Sequence, residues 1–120
     1  MKRMKWLLLM FWGMVPAWLS AQTVVSTATG GNWSDPNTWI GNVVPVATDD
    51  VVIADGATVV IDVNADAQNL TIGEGNSGSL LFPDAAPVTL TVGADLLIEA
   101  GANLQSAATG TETGHVINVA

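Results

Sequence analysis

From Val51 onward the apolar residues of this chain fall into short runs. They are VVI (51–53), TVVIDV (58–63), NLTI (69–72), SLLF (79–82), VTLTV (88–92), LLIEA (96–100), NLQ (103–105) and HVINV (115–119). Glycine, asparagine, aspartate and alanine separate them. None is long enough, or spaced at helical period, to make an amphipathic helix. Short β-branched and leucine runs broken by turn formers predict an all-β architecture. Upstream, QTVVSTATG (22–30) predicts a lead-in strand or a linker.

The runs also resemble one another. Ile53 to Val59 and Ile98 to Leu104 share the frame Ile-x-x-Gly-Ala-x-(Val/Leu). Asn69 to Gly73 matches Thr89 to Gly93, and Ile72 to Leu80 is a looser third copy. Internal similarity at a spacing of about twenty residues marks a solenoid. The expected fold is a β-helix-like solenoid of short parallel strands with an N-terminal cap. Glycine would turn the corners, and alternating Val, Leu and Ile would fill a narrow core. An antiparallel β-sandwich also has short strands and is the alternative, but it does not require the repeated corner frame.

The segment before the first run, GGNWSDPNTWIGNVVPVATDD (30–50), is of another kind. Ser34-Asp35-Pro36-Asn37 is turn chemistry, and Asp35 is also placed to cap a single helical turn with Pro36 at its first position. Gly41-Asn42 predicts a second tight turn, because both residue types tolerate left-handed backbone. Trp33 and Trp39 then read in two ways. They plug the open end of an apolar core, or they form a platform on which a sugar stacks. Burial separates the two.

The first 21 residues change the charge balance. Lys2, Arg3 and Lys5 precede an uncharged, largely apolar run from Trp6 to Leu19, and Ser20-Ala21 are small. That is the layout of a secretory signal peptide cut after Ala21. The run of fourteen residues, with Pro16 inside it, falls short of the roughly 17–25 apolar residues of a spanning helix. The expectation is therefore export, to the extracellular space, the cell surface or the periplasm, with no membrane insertion after cleavage. The three basic residues all lie in this leader, so the mature part keeps eleven carboxylates and no Lys or Arg, a formal charge of −11. Such a surface repels phosphate backbones and excludes nucleic acid as a partner. With no cysteine, the fold rests on burial and hydrogen bonds alone.

Little of the remaining chemistry is specific. His115 is the single histidine and has no cysteine or second histidine to form a zinc site. Asp49, Asp50, Asp55, Asp62 and Asp66 are concentrated early. Oxygen ligands suit calcium, and Asp49-Asp50 is the candidate pair, although no spacing matches a calcium loop. The plainer reading is solubility and edge protection. Asn32-Trp33-Ser34 and Asn69-Leu70-Thr71 match a glycosylation sequon, which matters only in a eukaryotic secretory route. No residue is assigned a catalytic role and no cofactor beyond calcium is expected.

The stretch from Gly30 to Asp62 resembles the start of the eight-glycine domain, found in large extracellular proteins that include many secreted Bacteroidetes-type bacterial ones. The likeness is carried by Trp33, Trp39, Gly41, Pro45, Asp50, Val52, Ile53, Gly56, Val59 and Asp62. It is closest over about residues 30–72 and looser to about 105. Where the family often has Gly-Gly, this chain has Gly41-Asn42. The resemblance implies a β-rich extracellular module, often beside parallel β-helix regions and linked to glycans or other ligands. It transfers no catalytic residue.

These observations divide the chain into a leader (1–21), a lead-in strand or linker (22–29) and a β-solenoid domain (30–120). HVINVA ends as a strand with no cap or charged stop, and a solenoid needs its last edge covered. A longer polypeptide with downstream domains is the expectation. Three functions follow from it. The first is a structural and interaction module, the front of an adhesin-like protein that is not itself an enzyme and has a glycan or protein partner. The second is a carbohydrate-binding module built on Trp33 and Trp39. The third is the front of a β-helical polysaccharide-degrading enzyme whose catalytic residues lie downstream.

Overall fold

The computed structural model describes residues 22–106 and 114–120. The leader expected at 1–21 lies outside the described residues. Among the described residues, eleven strands and one 3₁₀ turn follow in chain order. β1 (Thr23–Val25) and β2 (Gly30–Asn32) precede the 3₁₀ turn Pro36–Thr38. Then come β3 (Asp50–Ile53), β4 (Thr58–Val60), β5 (Ala65–Ala67), β6 (Asn69–Ile72), β7 (Ser79–Phe82) and β8 (Thr89–Val92). β9 (Leu96–Ile98), β10 (Asn103–Ser106) and β11 (Val116–Val119) complete the chain.

The strands form three sheets, ordered β1-β3-β6-β9, β2-β4-β7-β10 and β5-β8-β11. All pairings between these strands are parallel. The chain therefore winds as a three-sided β-solenoid of about four turns. β3-β4-β5, β6-β7-β8 and β9-β10-β11 are three full rungs, and β1-β2 begin the first. Parallel stacking overturns the sandwich alternative.

Register explains the core. Val24, Val51, Leu70 and Leu96 lie in one column, and Ile53, Ile72 and Ile98 in the next. On the second face Val59, Leu80 and Leu104 align; on the third, Ala65, Leu90 and Ile117, then Ala67, Val92 and Val119. The period-two alternation puts each of these side chains inward and its neighbours outward. Val51, Ile53, Val59, Leu70, Ile72, Leu80, Leu90 and Val92 are fully enclosed.

The repeat is less regular than the sequence suggests. Asp50 pairs with Asn69, nineteen residues on, whereas Leu70 pairs with Leu96 and Val25 with Val52. Corner loops of different length absorb the difference. The two Ile-x-x-Gly-Ala corners belong to the second and fourth rungs. The looser copy at 72–80 is the corner between them, with two extra residues. The likeness of Asn69–Gly73 to Thr89–Gly93 does not link successive rungs, because β6 and β8 are two sides of the same rung. Residues 22–29, read as lead-in strand or linker, supply β1, whose three residues all pair with β3. Two strands carry neither a β-branched residue nor a leucine, GGN in β2 and ADA in β5. They are strands because their neighbours above them pair with them.

Candidate functional site

The polar turn segment 33–49 closes the N-terminal end of the stack. Asp35 caps the 3₁₀ turn through Oδ1, which accepts the Asn37 N–H at 2.9 Å, with Pro36 at the first helical position. The chain then runs back antiparallel to β1. Thr27 N–H donates to Thr38 O at 2.8 Å and Ile40 N–H donates to Val25 O at 2.9 Å. These two bonds form an antiparallel bridge between Ser26 and Trp39 that covers the C-terminal end of β1's outer edge. Gly41 and Asn42 both have positive φ, 95° and 58°, as their tight turn requires.

Both tryptophans are in the core, each 1% exposed. Their rings meet edge to face with centroids 5.0 Å apart, and Trp39 Nε1–H donates to Trp33 O at 2.9 Å. Among the described residues the third sheet starts only at β5, so the first rung has no strand on that side. An indole buried this way has no face to offer a sugar ring, so of the two readings of Trp33 and Trp39 the burial favours the plug over the stacking platform. The pair is the plug of the cap.

The acidic residues named from the sequence are placed apart, and most hold backbone. Asp49 is buried, and its Oδ2 accepts the Val46 N–H at 2.9 Å. Asp50, the next residue, has the opposite parity along the strand. Its Oδ1 accepts from Asn69 Nδ2 at 2.8 Å, and Asn69 Oδ1 in turn accepts the Asp95 N–H at 3.0 Å. The expected calcium pair is thus split between two environments. Among the described residues no group of three His, Cys, Asp or Glu side chains is arranged to hold a metal ion. Asp62 accepts from both the N–H and the hydroxyl of Ser34, which fastens the cap to the second rung. Asp66 projects outward from β5, exposed.

Asp55 has the densest set of donors, and sequence reasoning gave it no particular role. Its Oδ1 accepts from the N–H groups of Glu74 (2.7 Å), Ser77 (3.0 Å) and Asn76 (3.2 Å), and its Oδ2 from Asn76 Nδ2 (3.0 Å). The Ser77 and Glu74 backbone N–H groups are the main reason its carboxyl is lowered to about 2. The two extra residues of the 72–80 corner make this loop. The signal was visible only as an imperfect repeat.

His115 joins the third and fourth rungs. Its Nδ1 accepts the Val88 N–H at 3.2 Å, and Nε2, then the protonated nitrogen, donates to Pro83 O at 2.9 Å. The ring stacks on Phe82 at 4.9 Å. This is a structural clasp.

The opposite end of the stack has a different character. β9, β10 and β11 are each the last strand of their sheet among the described residues. Ile98, Ile117 and Val119 continue the core columns, yet they are 45%, 43% and 47% exposed. Among the described residues, one end of the solenoid is closed by aromatic packing, and the other presents apolar side chains and the outer edges of β9, β10 and β11.

A family model described as the G8 domain matches residues 38–120. The match starts inside the cap at Thr38 and extends through β11, beyond the stretch that carries the resemblance in sequence. No curated protein matches this chain. No solved structure matches it either.

Proposed function

The chain belongs to the G8 domain family, and on that premise we propose that it is a structural and interaction module, the capped front of a longer adhesin-like protein displayed outside the cell. The observation that carries this reading is the contrast between the two ends. The N-terminal end is sealed by Trp33, Trp39 and the antiparallel return of Thr38–Ile40. The β9–β11 end offers apolar side chains and free edges, the surface on which further rungs of the same polypeptide stack. Export follows from the leader-like first 21 residues, and the lysine- and arginine-free remainder suits an extracellular surface without nucleic-acid partners.

A binding rather than a catalytic role is favoured by what the carboxylates do. Asp35, Asp49, Asp50, Asp55 and Asp62 each accept a hydrogen bond that holds a turn, a column or the cap. Groups committed in this way are not free to act as acid and base. The same open end also suits the front of a β-helical polysaccharide-degrading enzyme, with all of its chemistry downstream.

The test uses the gene in the organism that carries it. Intact cells are treated with an external protease, for the parent gene and for an Ile117→Lys/Val119→Lys variant. The reading predicts that external protease removes the protein and that the double variant lowers the displayed amount. Protection from external protease, or an undiminished amount of the double variant, contradicts it.

A further inference from the structure

The corner between β3 and β4 contains the chain's single Asp-Gly dipeptide, Asp55-Gly56. In such a pair the following nitrogen is unshielded by any side chain, so it can attack the aspartyl carbon. The Gly56 N–Asp55 Cγ bond forms, the Cγ–OH bond breaks, and water leaves with the amide proton. Water then reopens the succinimide at either carbonyl. One route restores aspartate; the other leaves isoaspartate, with the main chain running through Cβ. No oxidant or enzyme is required.

We propose that Asp55-Gly56 is a site of spontaneous isoaspartate formation that the 74–77 loop keeps closed. Each reacting group is engaged by that loop. The attacking nitrogen is held, since Gly56 N–H donates to Ser77 Oγ at 2.8 Å. The carboxylate receives the N–H groups of Glu74, Asn76 and Ser77 and the Asn76 amide. These donors also keep the carboxyl ionised, whereas loss of water needs the protonated acid. The clasp is reciprocal, because Asp55 N–H donates to Glu74 Oε1 at 3.2 Å. The related corner in the fourth rung has Ala100-Gly101 at the same position and cannot undergo the reaction. The longer third-rung corner therefore lies against the second-rung corner that carries the Asp-Gly pair.

Isomerisation would add a backbone atom between β3 and β4. Ala57 and Val59, both enclosed in the core, would lose register with the rungs on either side.

The experiment incubates the mature chain at neutral pH and 37 °C in three forms, parent, Ser77→Ala and Ser34→Ala, beside the parent unfolded in urea. Isoaspartate at residue 55 is read by peptide mapping with electron-transfer fragmentation, which separates it from aspartate of equal mass. The proposal predicts that the folded parent reacts about tenfold or more slowly than the unfolded chain, as a locally closed site should. Ser77→Ala, which frees the Gly56 N–H, accelerates the reaction several-fold. Ser34→Ala loosens the cap and leaves the rate at the parent value, which separates the clasp from general loss of stability. Equal rates in folded and unfolded parent overturn the proposal, as does a Ser77→Ala rate no faster than that of Ser34→Ala.

Discussion

At the scale of single residues, two side-chain types hold this fold where charge pairs cannot. Beyond residue 21 the chain has no lysine or arginine, and the carboxylates of Asp35, Asp49, Asp55 and Asp62 accept backbone N–H groups instead. Asp55 shows the consequence. Its folded carboxyl lies near 2 against an ordinary value of 3.8. The depressed value means that the clasp contributes stability above the unfolded value, and that this is lost as pH falls through about 2. Asp55→Asn should therefore flatten the fall in thermal midpoint between about pH 4 and pH 2 while lowering the midpoint at neutral pH. A parallel shift at all pH values would count against the clasp. Trp33 and Trp39 make the second case. They are the two tryptophans beyond residue 21, so emission of residues 22–120 reports on them alone. Burial predicts blue-shifted emission, weak quenching by acrylamide and no response to added oligosaccharide. Trp39→Ala should cost about 3–5 kcal/mol in denaturant unfolding.

The same scale shows why part of the site was legible in sequence and part was not. Turn residues act locally, so Asp35-Pro36 and Gly41-Asn42 could be placed without knowing the fold. Two roles were open for Trp33 and Trp39 because burial depends on what the rest of the chain brings to them. Asp49 and Asp50 looked like a pair because they are adjacent in sequence, but strand parity separates adjacent side chains. Asp55 was invisible as a special residue, since its donors come from a loop twenty residues away that had the form of a poor repeat.

At the scale of elements, strand identity follows the stack more than local propensity. Runs such as NLTI and SLLF are strands by composition and were readable at once. GGN and ADA are strands because β4 and β8 pair with them. Similarity at twenty residues pointed to the right architecture, although it mixed rung-to-rung likeness with likeness between two sides of one rung. Corners carry the strictest demands. Gly101 has φ +79°, and a Cβ there would collide with the backbone carbonyl of Asn76. Gly101→Ala should destabilise the chain by about 1–3 kcal/mol, because strain and collision both act. Gly75→Ala, where no atom lies within 4 Å, should show only the smaller cost of its positive φ. Thermal melts of the two variants side by side give the comparison.

At the scale of the whole molecule, the account is of an asymmetric stack, closed by the cap and open at the fourth rung. Leu90 and Ile117 are register partners in one column, fully enclosed in the third rung and 43% exposed in the fourth. The same substitution should therefore have opposite outcomes. Leu90→Lys buries a charge and should cost several kcal/mol, whereas Ile117→Lys should leave the unfolding midpoint of residues 22–120 taken alone nearly unchanged. Composition and repeats made the stack readable, and the G8 match supports the assignment over most of the chain. Which end was sealed depended on the placement of the two indoles. Hydrogen exchange of residues 22–120 taken alone, resolved by peptide, tests this asymmetry most directly. The account predicts strong protection in β6–β8 and in the cap around Val25–Trp39, with β9–β11 exchanging fastest. Protection of β9–β11 equal to that of β6–β8, or a cap that exchanges as fast as the fourth rung, would contradict it.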